Sequence, residues 1–337
     1  MKVLVIQTAF LGDLILTLPI VQTITKNQND SIVDVLCIPY TCTILQNNPY
    51  VNRTIVFDKH IHRKYSDIYA LANDLKSQNY DYAIIPHRSA RSGIIAMLAR
   101  IENRIAFKKL FFDWLYTETV EYNSAIHEID RNLSLLNSFD FKIYYRVPEL
   151  FPSHGDIFKV NILLGKIDYD KMICIAPGSK WNTKKWSKEN YSLLCNKLLL
   201  NGYNVILIGS KYDTVECEYI KSYNENVFNL CGLLTINETV VVIKKASLLI
   251  SNDSAPVHIA SATGTTVIDI YGPTNPEIGF FPISDKSICI QNKNLNCRPC
   301  AIHGGKVCPT KTFDCMNSIT PEIVFNKVIN IFNEQNN

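Results

Sequence analysis

What most constrains this chain is an alternation, run through twice, of short apolar segments rich in β-branched residues with amphipathic stretches of helical period. Lys2-Val-Leu-Val-Ile6 carries no polar residue after its first, as a strand buried on both faces requires. A loop from Thr8 to Gly12 follows, and then a helical stretch from Asp13 to Thr25 carrying Leu14, Leu18 and Val21. Ile32 to Ile38 reads as a strand, Ser66 to Gln78 as a helix with Ile68, Leu71, Ala72 and Leu75 on one face, and Tyr82 to Ile85 as a strand. Strands alternating with helices build a parallel sheet covered on both sides.

Between Arg146 and Asp170 the pattern lapses at Pro148, Pro152 and Ser153-His154-Gly155, so a domain junction is expected there. The second series runs through a strand at Met172–Ala176, a helix at Lys188–Leu200, a strand at Val205–Ile208 and a helix at Asp213–Tyr223. It continues with a helix at Glu238–Ala246, a strand at Leu248–Ile250, a helix at Ser254–Ala262 and a strand at Val267–Ile270. The reading is an α/β chain of two doubly wound domains, residues 1–155 and 156–318, with a last helical stretch at 319–337. At 337 residues the chain has the length of about two domains.

Charge and cysteine usage narrow the function classes. Lys and Arg number 34 against 31 Asp and Glu, and a balance of +3 argues against a nucleic-acid partner. No window approaches the roughly 18 unbroken apolar residues of a membrane span. The apolar stretch to Ile24 is interrupted by Asp13 and followed by no small-residue cleavage site, so a cytoplasmic protein is expected. Seven cysteines, Cys37, Cys42, Cys174, Cys195, Cys217, Cys231 and Cys289, are scattered through strands and helices, the usage of free thiols in a reducing compartment.

Parallel sheets bind ligands beyond the carboxyl ends of their strands, so the loops after strands carry the functional reading. Asp13, where the first strand meets its helix, reads either as a helix cap or as a general base facing a cleft. Ala176-Pro-Gly-Ser-Lys-Trp-Asn-Thr-Lys-Lys-Trp186 offers Gly178 for close backbone approach, Ser179 and Thr183 hydroxyls and three lysines. That set suits a diphosphate, or else is a solvated basic turn. In Ile250-Ser-Asn-Asp-Ser-Ala-Pro-Val-His258, Asp253 or Ser254 caps a helix whose amides point at the cleft. His258, about one turn inside, is either structural or a stabiliser of a leaving phosphate. Asp213 follows another strand and reads as a ribose acceptor or a helix cap. In the first domain, Pro86-His-Arg-Ser-Ala-Arg91 places His87, Arg88 and Arg91 at a strand exit, where guanidinium groups suit carboxylates and phosphates. His60 to Tyr65 and Phe107 to Tyr116 mix cations with aromatics, as a membrane-surface patch would, and buried packing with snorkelling lysines accounts for the second as well. Cys297-x-x-Cys300 with Cys308 and Cys315 has partial zinc spacing and otherwise reads as free thiols or an occasional disulfide.

Gly-Asp before Leu-Thr-Leu-Pro, Pro-Gly-Ser with Lys-Lys-Trp, and Asp-Ser-Ala-Pro-x-His-x-Ala-x-Ala before Tyr-Gly-Pro-Thr-Asn-Pro together resemble glycosyltransferase family 9. These are the ADP-heptose:lipopolysaccharide heptosyltransferases, and the cysteine-rich segment is similar to their heptosyltransferase II-like branch. The resemblance implies the GT-B fold of two Rossmann-like domains facing across a cleft. The first would bind the acceptor and the second the nucleotide sugar, with the C-terminal helix crossing back to the first. It implies an inverting transferase moving heptose from ADP-heptose to the lipopolysaccharide inner core, at the inner face of the cytoplasmic membrane. Asp13 matches the family's catalytic base. Lys184, Ser179, Asp253 and His258 match its donor-site residues, and Asp213 falls near a ribose-contacting acid. No cofactor is required on this reading, and a metal-independent donor site lacking any Asp-x-Asp triplet is expected. Another activated sugar, or a nucleotide-sugar epimerase, is the alternative.

Overall fold

The computed structural model describes residues 1–59, 61–62 and 64–335, arranged as two compact units, Met1–Phe151 and Pro152 onward. His60 and Arg63 of the first cation–aromatic stretch lie outside the described residues. In the first unit the strands are β1 (Lys2–Gln7), β2 (Ile32–Cys37), β3 (Arg53–Val56), β4 (Tyr82–Ile85), β5 (Asn103–Phe107) and β6 (Glu118–Val120). The helices are α1 (Leu11–Asn27), α2 (Pro39–Cys42), α3 (Tyr65–Ser77), α4 (Ala90–Leu98) and α5 (Glu128–Ser134). All strand pairs are parallel, in the order β3-β2-β1-β4-β5-β6. The inner strands form because Val3 to Ile6 and Ala83 to Ile85 are wholly buried between helical layers, where β-branched side chains pack well. On one face Leu71, Ala72 and Leu75 of α3 meet Ile95 and Ala96 of α4 over Leu4 and Ile6.

The second unit repeats the plan. Its strands are β7 (Met172–Ala176), β8 (Asn204–Leu207), β9 (Phe228–Asn229), β10 (Leu248–Asn252), β11 (Thr266–Tyr271) and β12 (Ile288–Gln291), in the order β12-β11-β10-β7-β8-β9. The helices are α6 (His154–Leu164), α7 (Lys188–Leu200), α8 (Thr214–Tyr223), α9 (Ile236–Lys245), α10 (Ala255–Thr263), α11 (Asp314–Asn317) and α12 (Pro321–Gln335). Numbered within their own units, both sheets have the strand order 3-2-1-4-5-6 of doubly wound dinucleotide folds. Each therefore has a switch point, between β1 and β4 and between β7 and β10, where loops leave in opposite directions and open a crevice.

The last helix packs on the second unit, where Val324, Val328 and Ile331 of α12 share a core with Leu194 and Leu198 of α7. Its apolar stripe is legible in the sequence, but the groove that receives it is a property of the assembled unit. Cys37 and Cys42, read as free thiols, are joined in a disulfide. Pro39 turns the chain directly after β2 and brings their Cα atoms to 5.7 Å, within bridging range. The other nine cysteines are free. No helix among the described residues is long and apolar enough to cross a membrane.

Candidate active site

In the second unit a charged cluster is built at the switch point. The carboxyl end of β10 delivers Asn252 and Asp253, and the loop after β7 delivers Pro177 to Lys184. The Asn252 amide ties the two together. It donates to the Pro177 carbonyl at 2.7 Å and accepts from the Trp186 backbone N–H at 3.0 Å and the Tyr191 hydroxyl at 3.1 Å. Trp186, itself buried, donates its indole N–H to the Ile319 carbonyl at 2.7 Å and stands edge-on to Tyr191. The loop is thereby pinned at both ends, and Lys184 Nζ reaches Asp253 Oδ2 at 2.6 Å. Thr274 Oγ1 donates to the same oxygen at 2.6 Å. Both charged side chains are about nine-tenths buried, so the pair is only weakly screened by solvent.

Helix α10 begins beside this pair. Ser254 is its N-cap residue in extended backbone but makes no capping side-chain bond, and Pro256 lies in its first turn. His258 is buried one turn further in, with its ring centroid 6.4 Å from that of Phe280. Gly178 lies against Asp213: a Cβ at position 178 would come within 2.2 Å of Asp213 Oδ1. The Asp213 carboxylate accepts from the Ser210 N–H at 2.8 Å and hydroxyl at 2.7 Å, so its capping role is present in this structure. Ser179 Oγ accepts from the Trp181 N–H at 3.4 Å, a long bond that leaves the hydroxyl loosely held.

The cysteine-rich segment braces these loops. Thr183 and Gly305 exchange hydrogen bonds of 2.8–3.0 Å, and Gly304 packs against Lys184 and Trp181. Arg298 donates to the Thr274 carbonyl at 2.5 Å, and the Cys300 N–H donates to the Pro273 carbonyl at 3.0 Å. Among the described residues no three His, Cys, Asp or Glu side chains are arranged to hold a metal ion, so the zinc reading of Cys297, Cys300, Cys308 and Cys315 finds no ligand set. The chain does contain an Asp-x-Asp triplet, Asp168-Tyr169-Asp170, contrary to the expectation of none. It precedes β7, at the amino end of the sheet and opposite to the donor loops, where Asp168 Oδ1 accepts from the Asp170 N–H.

In the first unit, Asp13 stands in the first turn of α1, half-buried, and its carboxylate accepts from the Phe10 N–H at 3.2 Å. Thr8, at the exit of β1, contacts His87 Nδ1 at 2.9 Å through its hydroxyl and accepts from Lys59 Nζ at 2.7 Å through its carbonyl. Burial, then the charges of Lys59 and Lys109, push the His87 imidazolium down to about 4 from an ordinary 6.5, so the ring is neutral near pH 7. Arg88 lays its guanidinium over the Tyr122 ring at 4.5 Å. Arg91 is exposed in the first turn of α4. Thus the structure gathers Asp13, His87 and Arg88 at the carboxyl edge of one sheet, and Gly178, Lys184, Asp213, Asp253, Ser254 and His258 at that of the other.

Several polar groups here had no sequence signal. Asn252 and Thr274 lie inside the motifs Ile250–His258 and Tyr271–Pro276, but nothing local marks them as the groups that tie the loop after β7 and hold Asp253. Lys59 precedes the first cation–aromatic stretch and carries no reading, and Lys109 lies in the second, which reads as a membrane-surface patch or buried packing. Glu128 and Arg131 reach α1 only through the packing of α5, where the Asn132 amide donates to the Leu16 carbonyl at 3.1 Å.

Two doubly wound units, one presenting a buried lysine–aspartate pair beside a helix N-terminus, have the make-up of the GT-B fold, in which function must be argued from the site. The model of glycosyltransferase family 9 (heptosyltransferase) matches residues 68–309, and the chain belongs to this family. It is 26% identical over 316 residues to lipooligosaccharide heptosyltransferase 2 of Haemophilus influenzae, covering 86% of this chain and 88% of that one. The solved structure of ADP-heptose lipopolysaccharide heptosyltransferase II from Escherichia coli superposes over 100% of both chains with a TM-score of 0.82 at 21% identity. The family 9 glycosyltransferase of Veillonella parvula gives a TM-score of 0.85 at 19% identity over 99% of this chain and 97% of that one.

Proposed function

We propose that this glycosyltransferase moves a heptose, with inversion, from ADP-heptose to a hydroxyl of the lipopolysaccharide inner core. The observation that carries the donor half is the Lys184–Asp253–Thr274 cluster beside the start of α10, in a member of family 9. A diphosphate placed there meets an ammonium group, the Gly178–Ser179 backbone and the positive end of a nine-residue helix. The acceptor oxygen bonds to the anomeric carbon as the bond from that carbon to the ADP oxygen breaks, and the hydroxyl proton passes to Asp13. Negative charge grows on the departing diphosphate, and Lys184, Ser179, Ser254 and His258 are assigned to offset it. No bound metal is invoked. Asp213 is assigned to the ribose hydroxyls.

On the acceptor side we assign His87, Arg88 and Arg91, joined by Lys59 and Lys109, to the carboxylate and phosphate groups of the core. Work at the inner face of the cytoplasmic membrane is assigned to the loop after β5. There Leu110, Phe111 and Trp114 are all more than 60% exposed beside Lys108 and Lys109, as an interfacial anchor requires. Mass spectrometry of a heptose-free core acceptor incubated with a panel of sugar nucleotides tests the reading. Heptose addition from ADP-heptose, abolished by Asp13→Ala with ADP binding retained, is expected. Transfer of a different sugar in its place, or conversion of the donor with no acceptor present, would refute it.

A further inference from the structure

At the exit of β6, the edge strand of the first sheet, stands an aromatic ring that the transfer step does not use. Tyr122 follows β6 by two residues and is half-buried. Phe107, at the end of the neighbouring β5, stands at right angles to it with ring centroids 5.2 Å apart. The Tyr122 hydroxyl donates to Glu128 Oε2 at 3.3 Å. The guanidinium of Arg131, in α5, lies 4.6 Å from the ring centroid and is paired with the same Glu128 oxygen at 2.9 Å. A second guanidinium, that of Arg88 in the loop after β4, lies 4.5 Å from the same centroid. Arg131 is only 1% exposed whereas Arg88 is exposed, so one ring joins a cation fixed in the core to a cation at the surface of the switch point.

Arg88 is held at two points. Its main chain is fixed where Lys109 Nζ donates to its carbonyl at 2.7 Å, and its side chain rests on the Tyr122 ring. Among the described residues the Arg88 guanidinium makes no hydrogen bond or ion pair. A guanidinium laid on an aromatic ring keeps its N–H donors, which lie in its own plane, available to a carboxylate or phosphate. It also gives up its conformational freedom before the ligand arrives, which lowers the cost of binding. We propose that Tyr122 is a positioning residue for the acceptor: it holds the Arg88 guanidinium on its ring at the carboxyl edge of the first sheet, where it takes an oxyanion group of the acceptor. The inference rests on the reading of Arg88 as an acceptor-binding group. Phe107, Glu128 and Arg131 act one step further back by keeping the ring in place. The π face carries the effect and the hydroxyl does not, so a plain phenyl ring at position 122 suffices.

The test is steady-state kinetics of the full chain on the heptose-free core acceptor, with folding followed by thermal unfolding and ADP affinity by titration calorimetry. Tyr122→Leu removes the π face and should raise the acceptor KM about three- to thirtyfold, the worth of a cation–π contact, with kcat and ADP affinity unchanged. Tyr122→Phe keeps the face and should stay within about twofold of the wild type. In an Arg88→Ala background Tyr122→Leu should add nothing. An acceptor KM unmoved by Tyr122→Leu, raised as much by Tyr122→Phe, or raised equally in the Arg88→Ala background overturns the proposal. Should Tyr122→Leu not fold, phenylalanines carrying one, two and three ring fluorines at position 122 keep the shape of the ring while weakening its attraction for a cation, and a KM that does not climb along that series overturns it. Enzymatic removal of the acceptor's phosphates and methyl-esterification of its carboxyls separate the two oxyanions. The treatment that abolishes the difference between Tyr122→Leu and wild type names the group that Arg88 meets, and a difference that survives both treatments together overturns the proposal. An unchanged KM in Arg88→Ala sinks the acceptor reading itself, whereas a raised KM there with a wild-type KM in Tyr122→Leu sinks only this inference.

Discussion

Replacing Lys184 by Ala separates what the Lys184–Asp253 pair does for the fold from what it does for the donor. The two side chains are 11% and 10% exposed, so the substitution strands a carboxylate in a site that excludes water, with only the Thr274 hydroxyl left to it. Breaking a buried pair in this way costs about 3–5 kcal/mol. Because each side chain keeps some exposure, the lower end applies, about 3 kcal/mol. At roughly 2–4 °C per kcal/mol for a unit of this size, the melting temperature should fall by about 6–12 °C. Adding Asp253→Ala removes the stranded charge and should recover about 1–3 kcal/mol of that loss, the usual size of coupling between residues in contact. Donor affinity should behave differently. A charge-assisted phosphate contact is worth about 1.5–3 kcal/mol, so ADP should bind roughly ten- to 150-fold more weakly to Lys184→Ala and no better to the double variant. Calorimetric melting and ADP titration on the three proteins read the two quantities separately. A wild-type melting temperature for Lys184→Ala, or ADP affinity restored in the double variant, would refute the reasoning.

Gly178→Ala places a Cβ 2.2 Å from the Asp213 carboxylate and must displace it from Ser210. A lost cap and local overpacking together amount to about 2–4 kcal/mol, and ADP binding should weaken with the melting temperature; a variant matching the wild type in both measurements contradicts the crowding. His87 has a folded value near 4 against an ordinary 6.5. As pH falls through 6.5 the unfolded chain takes up the proton that the folded ring refuses, so this residue's contribution to stability is present above about 6.5 and lost towards 4. Denaturant unfolding of wild type and His87→Gln should diverge across that window and run parallel above it. Leu110→Ser/Phe111→Ser/Trp114→Ser should reduce sedimentation with anionic vesicles at least tenfold while leaving turnover on a soluble acceptor analogue intact; equal sedimentation removes the loop as anchor.

Which parts of this molecule were legible in the sequence follows from where each physical signal resides. The inner strands announce themselves because burial on both faces forbids polar residues, and Val3 to Ile6, Met172 to Ala176 and Leu248 to Ile250 obey that locally. Edge strands β3 and β6 are half-exposed, so their composition is that of a loop and nothing local marks them. Helix α12 shows the same division: Val324, Val328 and Ile331 lie on one helical face whatever they pack against, yet the choice of α7 as neighbour is made by the groove available once β11 and α7 are in place. The donor loops were legible because Gly, Pro, Lys and Asp are clustered within a few positions of strand ends. Asn132 was not, because it lies 116 residues from Leu16 and reaches its carbonyl only when α5 packs along α1. A residue that binds a ligand at a strand exit stands where sequence and topology coincide, whereas one that braces a neighbouring helix, as Asn132 braces α1, needs only proximity, which the fold alone confers.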